Sequence, residues 1–361
     1  MRRCPAPSPL RLPPVLPAEP FATRVAESGL LPDALLRAAM RKLCTQRLRD
    51  ERSGGADAAW ERQRVFVEAL RGSAIAIETD AANRQHYELP PRFFALCLGK
   101  HLKYSSCYWD AGTADLDAAE ERMLHLYAER AQLRDRQRIL ELGCGWGSLT
   151  LWMAEHYPGA RITAVSNSRP QREHIEAQCR ARGLRNVEVI THDANTLSLP
   201  HASFDRVVSI EMFEHMRNYR ELLARIGQWL VPGGRMFVHI FCHRDLAYPF
   251  EVQGEDNWMG RHFFTGGLMP AADTLLQFQD DLTLERRWLL SGEHYEKTAN
   301  AWLRNQDRHR TELMQVLQGT YGADAKIWWQ RWRMFWMACA ELFGYEQGQQ
   351  WGVAHYRFVR R

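Results

Sequence analysis

The sequence predicts an α/β fold, a doubly wound parallel sheet with helices on both faces. Three observations carry the prediction. Between about residues 117 and 243, short apolar strands alternate with amphipathic helices, the pattern of a parallel sheet joined by helical crossovers. The first strand runs into a glycine turn, Ile139-Leu-Glu-Leu-Gly-Cys-Gly-Trp-Gly147, whose backbone can take positive φ and approach a ligand closely. Two further strand-like stretches, 282–290 and 353–359, follow once the alternation has ended and bring the sheet to seven strands.

In chain order, residues 1–20 form a Pro-rich arm without the apolar core of a signal peptide, expected to be flexible and partly polyproline. Residues 21–98 read as a helical cap: Leu30, Leu31, Leu35, Leu36, Met40 and Leu43 recur at helical spacing, and a break at 52–56 precedes a second helix over 58–70. From residue 99 onward the main domain begins. Its strands are predicted at 138–142, 161–165, 187–191, 204–210 and 235–241, and its helices at 118–131, 147–156, 169–182 and 218–230. Leu230-Val-Pro-Gly-Gly234 stops the last of these helices. A lid and helical insertion occupies about 244–345, with a Gly-, Pro- and aromatic-rich stretch at 246–270 and helices at 296–318 and 323–343.

The bulk properties are those of a soluble globular protein. Of 361 residues, 45% are hydrophobic and 25% charged, with a net charge of +4, which gives no sign of a nucleic-acid partner. Eight scattered cysteines without a CxxC pair read as reduced thiols of a cytoplasmic protein. No apolar run reaches the roughly 18 residues of a membrane span. The oligomeric state, a homodimer included, is left open.

Ligands of open α/β sheets bind beyond the carboxyl ends of the strands. Glu141 and Gly143, Gly145 and Gly147 lie at the first of those ends. The second strand ends Ala164-Val-Ser-Asn-Ser168, with none of the acids that a nicotinamide dinucleotide's ribose usually meets there. After the third strand, Asp193 is placed to reach an adenine amine, its bland alternative being a loop cap. The set points to S-adenosylmethionine, and hence to methyl transfer.

Methyl transfer from a sulfonium is an in-line displacement in which positioning does most of the work. An amine acceptor must be neutral, yet aliphatic amines, with pKa values of about 10 by analogy with lysine, are mostly protonated near pH 7. A carboxylate or imidazole beside the nitrogen answers that need. Glu211, Glu214 and His215 follow the fourth strand and share one face if a helical turn begins there. Their bland alternative is a pair of helix-start acids and a core histidine. Trp328, Trp329, Trp332, Phe335 and Trp336 recur near helical spacing. Most such stripes are core, but Trp332 and Phe335 are also candidates for an aromatic wall around a cationic amine. His239, Cys242 and His243 point to different faces of a strand, so no metal is expected.

Several strings resemble the cyclopropane-fatty-acid synthase group of class I S-adenosylmethionine-dependent methyltransferases: Ile139–Gly147, Ser166–Gln171, Phe204–Met216 and Tyr104-Ser-Ser-Cys-Tyr-Trp109. The coclaurine N-methyltransferase branch is the most similar, through Ser209–Tyr219, Val238–His243, Phe263–Pro270, Phe278–Asp281 and Ala340–Tyr345. The similarity runs from about Gln85 to the C-terminus. It implies that Tyr104 and Ser105 hold the cofactor's methionine end, that Gly143, Gly145 and Gly147 pass beneath it, that Ser166 and Gln171 meet the ribose, and that His192 and Asp193 flank the adenine. It also implies that Glu and His from 211–215 surround the substrate nitrogen, with Trp332 and Phe335 in the substrate wall. Arg331 departs from that branch, so the substrate need not be the alkaloid itself.

The competing reading is cyclopropanation or methylation of an unsaturated lipid acyl chain. The lipid enzymes bind bicarbonate, held in part by a Cys, a Glu, a His and a late Tyr. The resemblance assigns Ser106, Glu214, His239 and Phe335 to those places, so two of the four contacts are altered. His239 is therefore also a candidate substrate contact. A non-catalytic cofactor-binding protein on the same fold is the third possibility.

Overall fold

The structure, a computed structural model, describes residues 20–77, 89–250 and 257–361. The Pro-rich arm expected over 1–20 lies, Pro20 apart, outside the described residues. The strands are β1 (Arg138–Leu142), β2 (Arg161–Ser166), β3 (Val187–Thr191), β4 (Phe204–Ile210), β5 (Leu230–His243), β6 (Tyr248–Pro249), β7 (Leu268–Met269), β8 (Leu282–Leu290) and β9 (Trp351–Arg360). Seven of them form one sheet in the order β3-β2-β1-β4-β5-β9-β8, and β6 and β7 form a separate pair. β3 through β5 run parallel, while β9 is antiparallel to both β5 and β8. The seven strands and their class match the expectation from sequence.

The helices are α1 (Phe21–Glu27), α2 (Asp33–Glu51), α3 (Gly55–Arg71), α4 (Pro91–Cys97), α5 (Leu116–Ala131), α6 (Ser148–His156), α7 (Arg169–Arg182), α8 (Tyr219–Trp229), α9 (Trp258–His262), α10 (Glu293–Arg308), α11 (Arg310–Tyr321) and α12 (Ala325–Phe343). Local chemistry sets several of their ends. Asp115 caps α5 by accepting from the Ala118 N–H, and Asn218 caps α8 by accepting from the Glu221 N–H, each bond satisfying an otherwise orphaned helix donor. Gly183 ends α7 in the left-handed conformation that glycine adopts without strain.

Three apolar layers result. Met123, Leu124, Tyr127, Trp152 and Met153 of α5 and α6 pack against Ile139, Ile162 and Val208 on one face of the sheet. Val67 and Leu70 of α3, with Leu222, Leu223 and Ile226 of α8, cover the other. A third cluster joins the N-terminal helices to the C-terminal insertion. Leu36 and Leu48 of α2 and Phe93 and Phe94 of α4 share it with Trp302, Trp332 and Trp336, and it reaches the glycine turn through Trp146. Cap and insertion thus have one core, seated beside the cofactor end of the sheet. One polar pair is satisfied within it: the Trp336 indole N–H donates to Gln306 Oε1 at 2.7 Å, and Gln306 Nε2 donates to the Trp329 carbonyl.

The helix expected from the leucine spacing of 30–43 is present as α2, though Leu30 is 83% and Leu35 59% exposed and only Leu36 of the set is buried, because α2 presents a narrow edge to α12. One expectation is corrected. The single helix expected over 296–318 breaks at His309, which leaves helical geometry while its Nδ1–H donates to the Leu96 carbonyl at 2.8 Å, at the end of α4. Arg331, the departure from the coclaurine pattern, forms a bidentate pair with buried Glu27 of α1, at 2.8 and 3.0 Å. Glu27 also accepts from the Trp258 indole, so Arg331 ties the first helix to the insertion. No helix among the described residues is long and apolar enough to cross a membrane, and the seven described cysteines are free thiols.

Trp336 is fully buried and ties α12 to α10 by packing and by its indole N–H. Trp336→Ala is expected to lower unfolding free energy by about 3–5 kcal/mol, read as a fall in denaturant midpoint at unchanged slope.

Candidate active site

Three adjoining cavities open at the carboxyl end of β1–β5. The first, about 110 Å³, lies along the glycine turn and is lined by Gly143, Gly145, Ser166, Gln171, His192, Met212 and Ala76, among others. The second is a polar niche of about 80 Å³ on the other side of the turn, lined by Lys103, Tyr104, Ser105, Glu141, Trp146 and Ser148. The third, about 430 Å³, is walled by Phe241 of β5 and by aromatics from the lid and insertion (Tyr248, Phe264, Tyr295, Trp302, Phe335, Phe343), with Met40 of α2 and Met259 and Met269 among them. Glu211 lines all three; His215 lines the first and third.

The glycines divide their labour. All three adopt positive φ. A Cβ on Gly145 would meet no protein atom within 4 Å, whereas one on Gly143 would lie 2.8 Å from Met212 Cβ and one on Gly147 2.6 Å from Ile175 Cγ1. Gly145 keeps ligand space clear. Gly147, expected beneath the cofactor, instead lets α7 pack on the turn, and it lines none of the three cavities. The Gly143 and Cys144 N–H groups donate to the Val165 carbonyl, locking the turn to β2.

At the second strand end Ser166 and Gln171 come together. Ser166 Oγ donates to Gln171 Oε1 at 2.7 Å and accepts the Ser168 N–H, leaving Gln171 Nε2 buried without a partner. Trp146 Nε1 and Ser148 Oγ, in the polar niche, are likewise buried and unpaired. Unpaired buried donors are costly; here they are three groups aimed at ligand space. Trp146 and Ser148 were missed in the sequence, because they sit inside the glycine string and its following helix, where a ring and a hydroxyl read as packing and capping. His192 lines the first cavity, but the Asp193 carboxylate accepts the Asn195 N–H at 2.8 Å and does not line it. Asp193 acts as a loop cap, the alternative weighed for it.

Glu141 is buried, and its Oε2 accepts from Thr150 Oγ1 at 2.5 Å. Burial lifts its pKa to about 8. The unfolded chain releases that proton from about pH 4.5 upward, so its contribution to stability falls as pH rises from about 4.5 to about 8.

Glu211 accepts more hydrogen bonds than Glu141 or Glu214 beside it. Its φ of +45° is left-handed, a strained conformation for this residue, costing of order 1–3 kcal/mol. Its own N–H donates to the His239 carbonyl at 2.9 Å. Oε1 accepts from the Ser106 N–H at 2.9 Å and from His239 Nε2 at 3.0 Å, and Oε2 accepts from the Tyr295 hydroxyl at 2.7 Å. Burial raises its pKa, opposed by the charge of Lys103 and by the Ser106 and Tyr295 donors. Lys103 is itself buried and donates to Ser105 Oγ and the Ser106 carbonyl; sequence reasoning gave it no role. Burial pushes the pKa of His215 down to about 4, so its imidazole is neutral near pH 7.

The helical face expected for Glu211, Glu214 and His215 does not form. Only Phe213–His215 make a short 3-10 turn, and the left-handed Glu211 turns its side chain toward Ser106. Glu214 is fully buried, accepts the Phe241 N–H at 2.7 Å through Oε1 and leaves Oε2 unpaired. Burial and the neighbouring Glu211 charge drive its pKa well up, and it lines none of the three cavities. His239 is also behind the wall: fully buried, it contacts Glu211 rather than the acceptor cavity. Trp332 is enclosed by Phe93, Phe263 and Trp336 and does not reach the cavity, so for this ring the core reading holds. Phe335 does line it, stacked at 4.4 Å on Phe263. Tyr104 lines both niche and cavity, and Ser105 lines the niche. His239, Cys242 and His243 do not converge. His243 Nδ1 accepts the Asp245 and Leu246 N–H groups, and Cys242 lies in the sheet core.

A parallel sheet with one inserted antiparallel strand, a glycine turn over an open groove and unpaired donors along it define a class I methyltransferase, and the residues present fit S-adenosylmethionine. Comparison with known proteins agrees. The family model for mycolic acid cyclopropane synthetase matches residues 76–351. (S)-coclaurine N-methyltransferase of Thalictrum flavum subsp. glaucum is 37% identical over 345 residues, 93% of this chain and 94% of that protein. A crystal structure of coclaurine N-methyltransferase with N-methylheliamine and S-adenosylhomocysteine superposes with a TM-score of 0.90 at 35% identity, covering 93% of this chain and 98% of the other. A cyclopropane synthase from Mycobacterium tuberculosis shares the fold, with a TM-score of 0.68 at 20% identity, over 80% of this chain and all of that one. The chain belongs to the mycolic acid cyclopropane synthetase family and is an S-adenosylmethionine-dependent methyltransferase.

Two outcomes follow from this geometry. Gly145→Ala should fold but lose affinity for S-adenosylhomocysteine in calorimetry, whereas Gly147→Ala should chiefly lower the melting temperature, through its clash with Ile175. Glu141→Gln should gain melting temperature relative to the unsubstituted protein more at pH 8 than at pH 5, measured without cofactor.

Proposed function

We propose that the protein N-methylates a small aromatic or cyclic amine. The observation that carries this reading is that Glu211 and His215 line both the cofactor groove and the aromatic cavity, so that a nitrogen approaching the donor must pass a carboxylate and a neutral imidazole. The cavity, about 430 Å³, is of the size that takes a small-molecule ligand. Its aromatic faces suit a cation.

The cofactor supplies an electrophilic methyl group on a sulfonium. The chain's residues do the rest. Gly145 admits the ligand against bare backbone. Gln171, Trp146 and Ser148 offer it unpaired donors. Glu211 draws in the ammonium form of the amine and, with a proton affinity raised by burial, takes its proton. His215, neutral near pH 7, offers a lone pair to the same nitrogen. The aromatic wall excludes water and holds the ring of the acceptor, which orients the nitrogen for in-line attack.

The lipid reading is weakened by Glu211 itself. Ser106 and His239, the places assigned to bicarbonate contacts under that reading, both donate to the Glu211 carboxylate. A tethered carboxylate occupies the donors that a free anion would need.

Incubation with radiolabelled cofactor, a panel of cyclic amines and an unsaturated phospholipid tests the reading. Label is expected in amines; label in lipid alone would reverse it. Glu211→Gln and His215→Ala should each lower kcat/KM for the amine by roughly 10²–10⁴-fold, with affinity for S-adenosylhomocysteine unchanged. A parallel loss of cofactor affinity would remove the assigned roles.

A further inference from the structure

The strand that closes the sheet carries a histidine for which the proposed reaction has no use. β9 enters antiparallel beside β5, and the register sets His355 directly opposite His239. Both imidazoles are fully buried. His355 Nε2 lies 2.9 Å from His239 Nδ1, and His355 Nδ1 lies 2.7 Å from an Arg130 guanidinium nitrogen on α5. With the 3.0 Å contact from His239 Nε2 to Glu211 Oε1, four side chains form an unbroken line from the half-buried end of α5 to the acid at the methyl-transfer site.

The line has a fixed direction. A guanidinium only donates, so His355 Nδ1 must accept. A neutral imidazole accepting at one nitrogen carries its proton on the other, so His355 presents Nε2–H to His239 Nδ1. That nitrogen must accept in turn, which leaves His239 with Nε2–H directed at Glu211. The Tyr127 hydroxyl, 2.9 Å from His239 Nδ1, can donate or accept and so fits either tautomer without selecting one. Without this line His239 has two tautomers available, and the one with its proton on Nδ1 turns a lone pair against the carboxylate.

We infer that Arg130 and His355 are positioning residues for methyl transfer: they fix the tautomer of His239, and through it hold the Glu211 carboxylate as an oriented proton acceptor. The line does not carry a proton away, because its far end has no lone pair to receive one. Lys103 and Arg130 flank the two rings with positive charge, and burial together with that charge keeps both imidazoles from protonating. Glu211 is the carboxylate in contact with His239. The inference rests on the amine-methylating reading for its kinetic part and on geometry alone for its spectroscopic part.

Nitrogen-15 spectra of the histidine rings, recorded on the full chain with S-adenosylhomocysteine at about pH 7, test the spectroscopic part; His239→Gln and His355→Gln identify the two signals. Both rings are expected neutral with the proton on Nε2. In Arg130→Met the His355 ring should lose that single tautomer, and in His355→Leu the His239 ring should; His355→Gln, whose amide still donates, should keep His239 as it is. Turnover of an accepted amine should fall roughly tenfold in Arg130→Met and His355→Leu, the lower end for partners one step removed from a reacting group. Arg130→Lys and His355→Gln should restore most of it, with cofactor affinity constant throughout. A proton on His239 Nδ1 in the unsubstituted protein, or an unchanged spectrum in Arg130→Met, would overturn the inference. A confirmed tautomer with no amine methylated would instead count against the proposed substrate class alone.

Discussion

Three parts of the molecule meet at one carboxylate. The loop before α5 reaches Glu211 through the Ser106 N–H, the sheet reaches it through His239, and the C-terminal insertion reaches it through the Tyr295 hydroxyl. Each donor comes from an element with its own hydrophobic support, so the side chain is held from three directions and its left-handed backbone is tolerated. Burying such an acid would be prohibitive if it were left unpaired. The donors and the nearby Lys103 ammonium make burial sustainable, while the raised proton affinity that survives is what a base needs. Stability and chemistry are set here by the same contacts.

The sheet was legible because its signals are local. Strand-length apolar runs, glycine punctuation and the Pro-Gly-Gly stop at 232–234 each speak for their own neighbourhood, and all seven strands fall where those signals lie. The groove was legible at Gly145 for a similar reason, since the glycine turn sits at a strand end that any parallel sheet brings to one edge, whereas Ser166 and Gln171 came only from the family resemblance. What failed was side-chain direction. Glu211, Glu214 and His215 are close in sequence, and helical spacing was the natural guide. The positive φ at Glu211 breaks that spacing, sending one acid to the cavities and the other into the core. No sequence rule announces a left-handed glutamate.

Packing partners distant in sequence were equally hidden. Arg331 reads only as a departure from the coclaurine pattern until Glu27, 304 residues earlier, is seen to hold it. Trp332 and Phe335 lie one turn apart on the same helix, yet one ring is sealed in the core and the other faces the cavity. That division depends on where Phe263 lies, and the lid places it from outside the helix. His239 and His355 are paired only because β9 runs backward between β5 and β8, a topological fact that the alternation of 353–359 does not contain.

The large cavity is unequal along its length. At its inner end Glu211 is bound on both oxygens and cannot swing to meet a displaced nitrogen. Elsewhere its wall includes Met40, Met259 and Met269, unbranched and polarizable side chains that change shape at little expense. Such a chamber measures one distance strictly, from the acceptor atom to the first ring, and is lenient about bulk beyond it. Discrimination among related amines would then concentrate near the nitrogen, and breadth would be inherited by the far end.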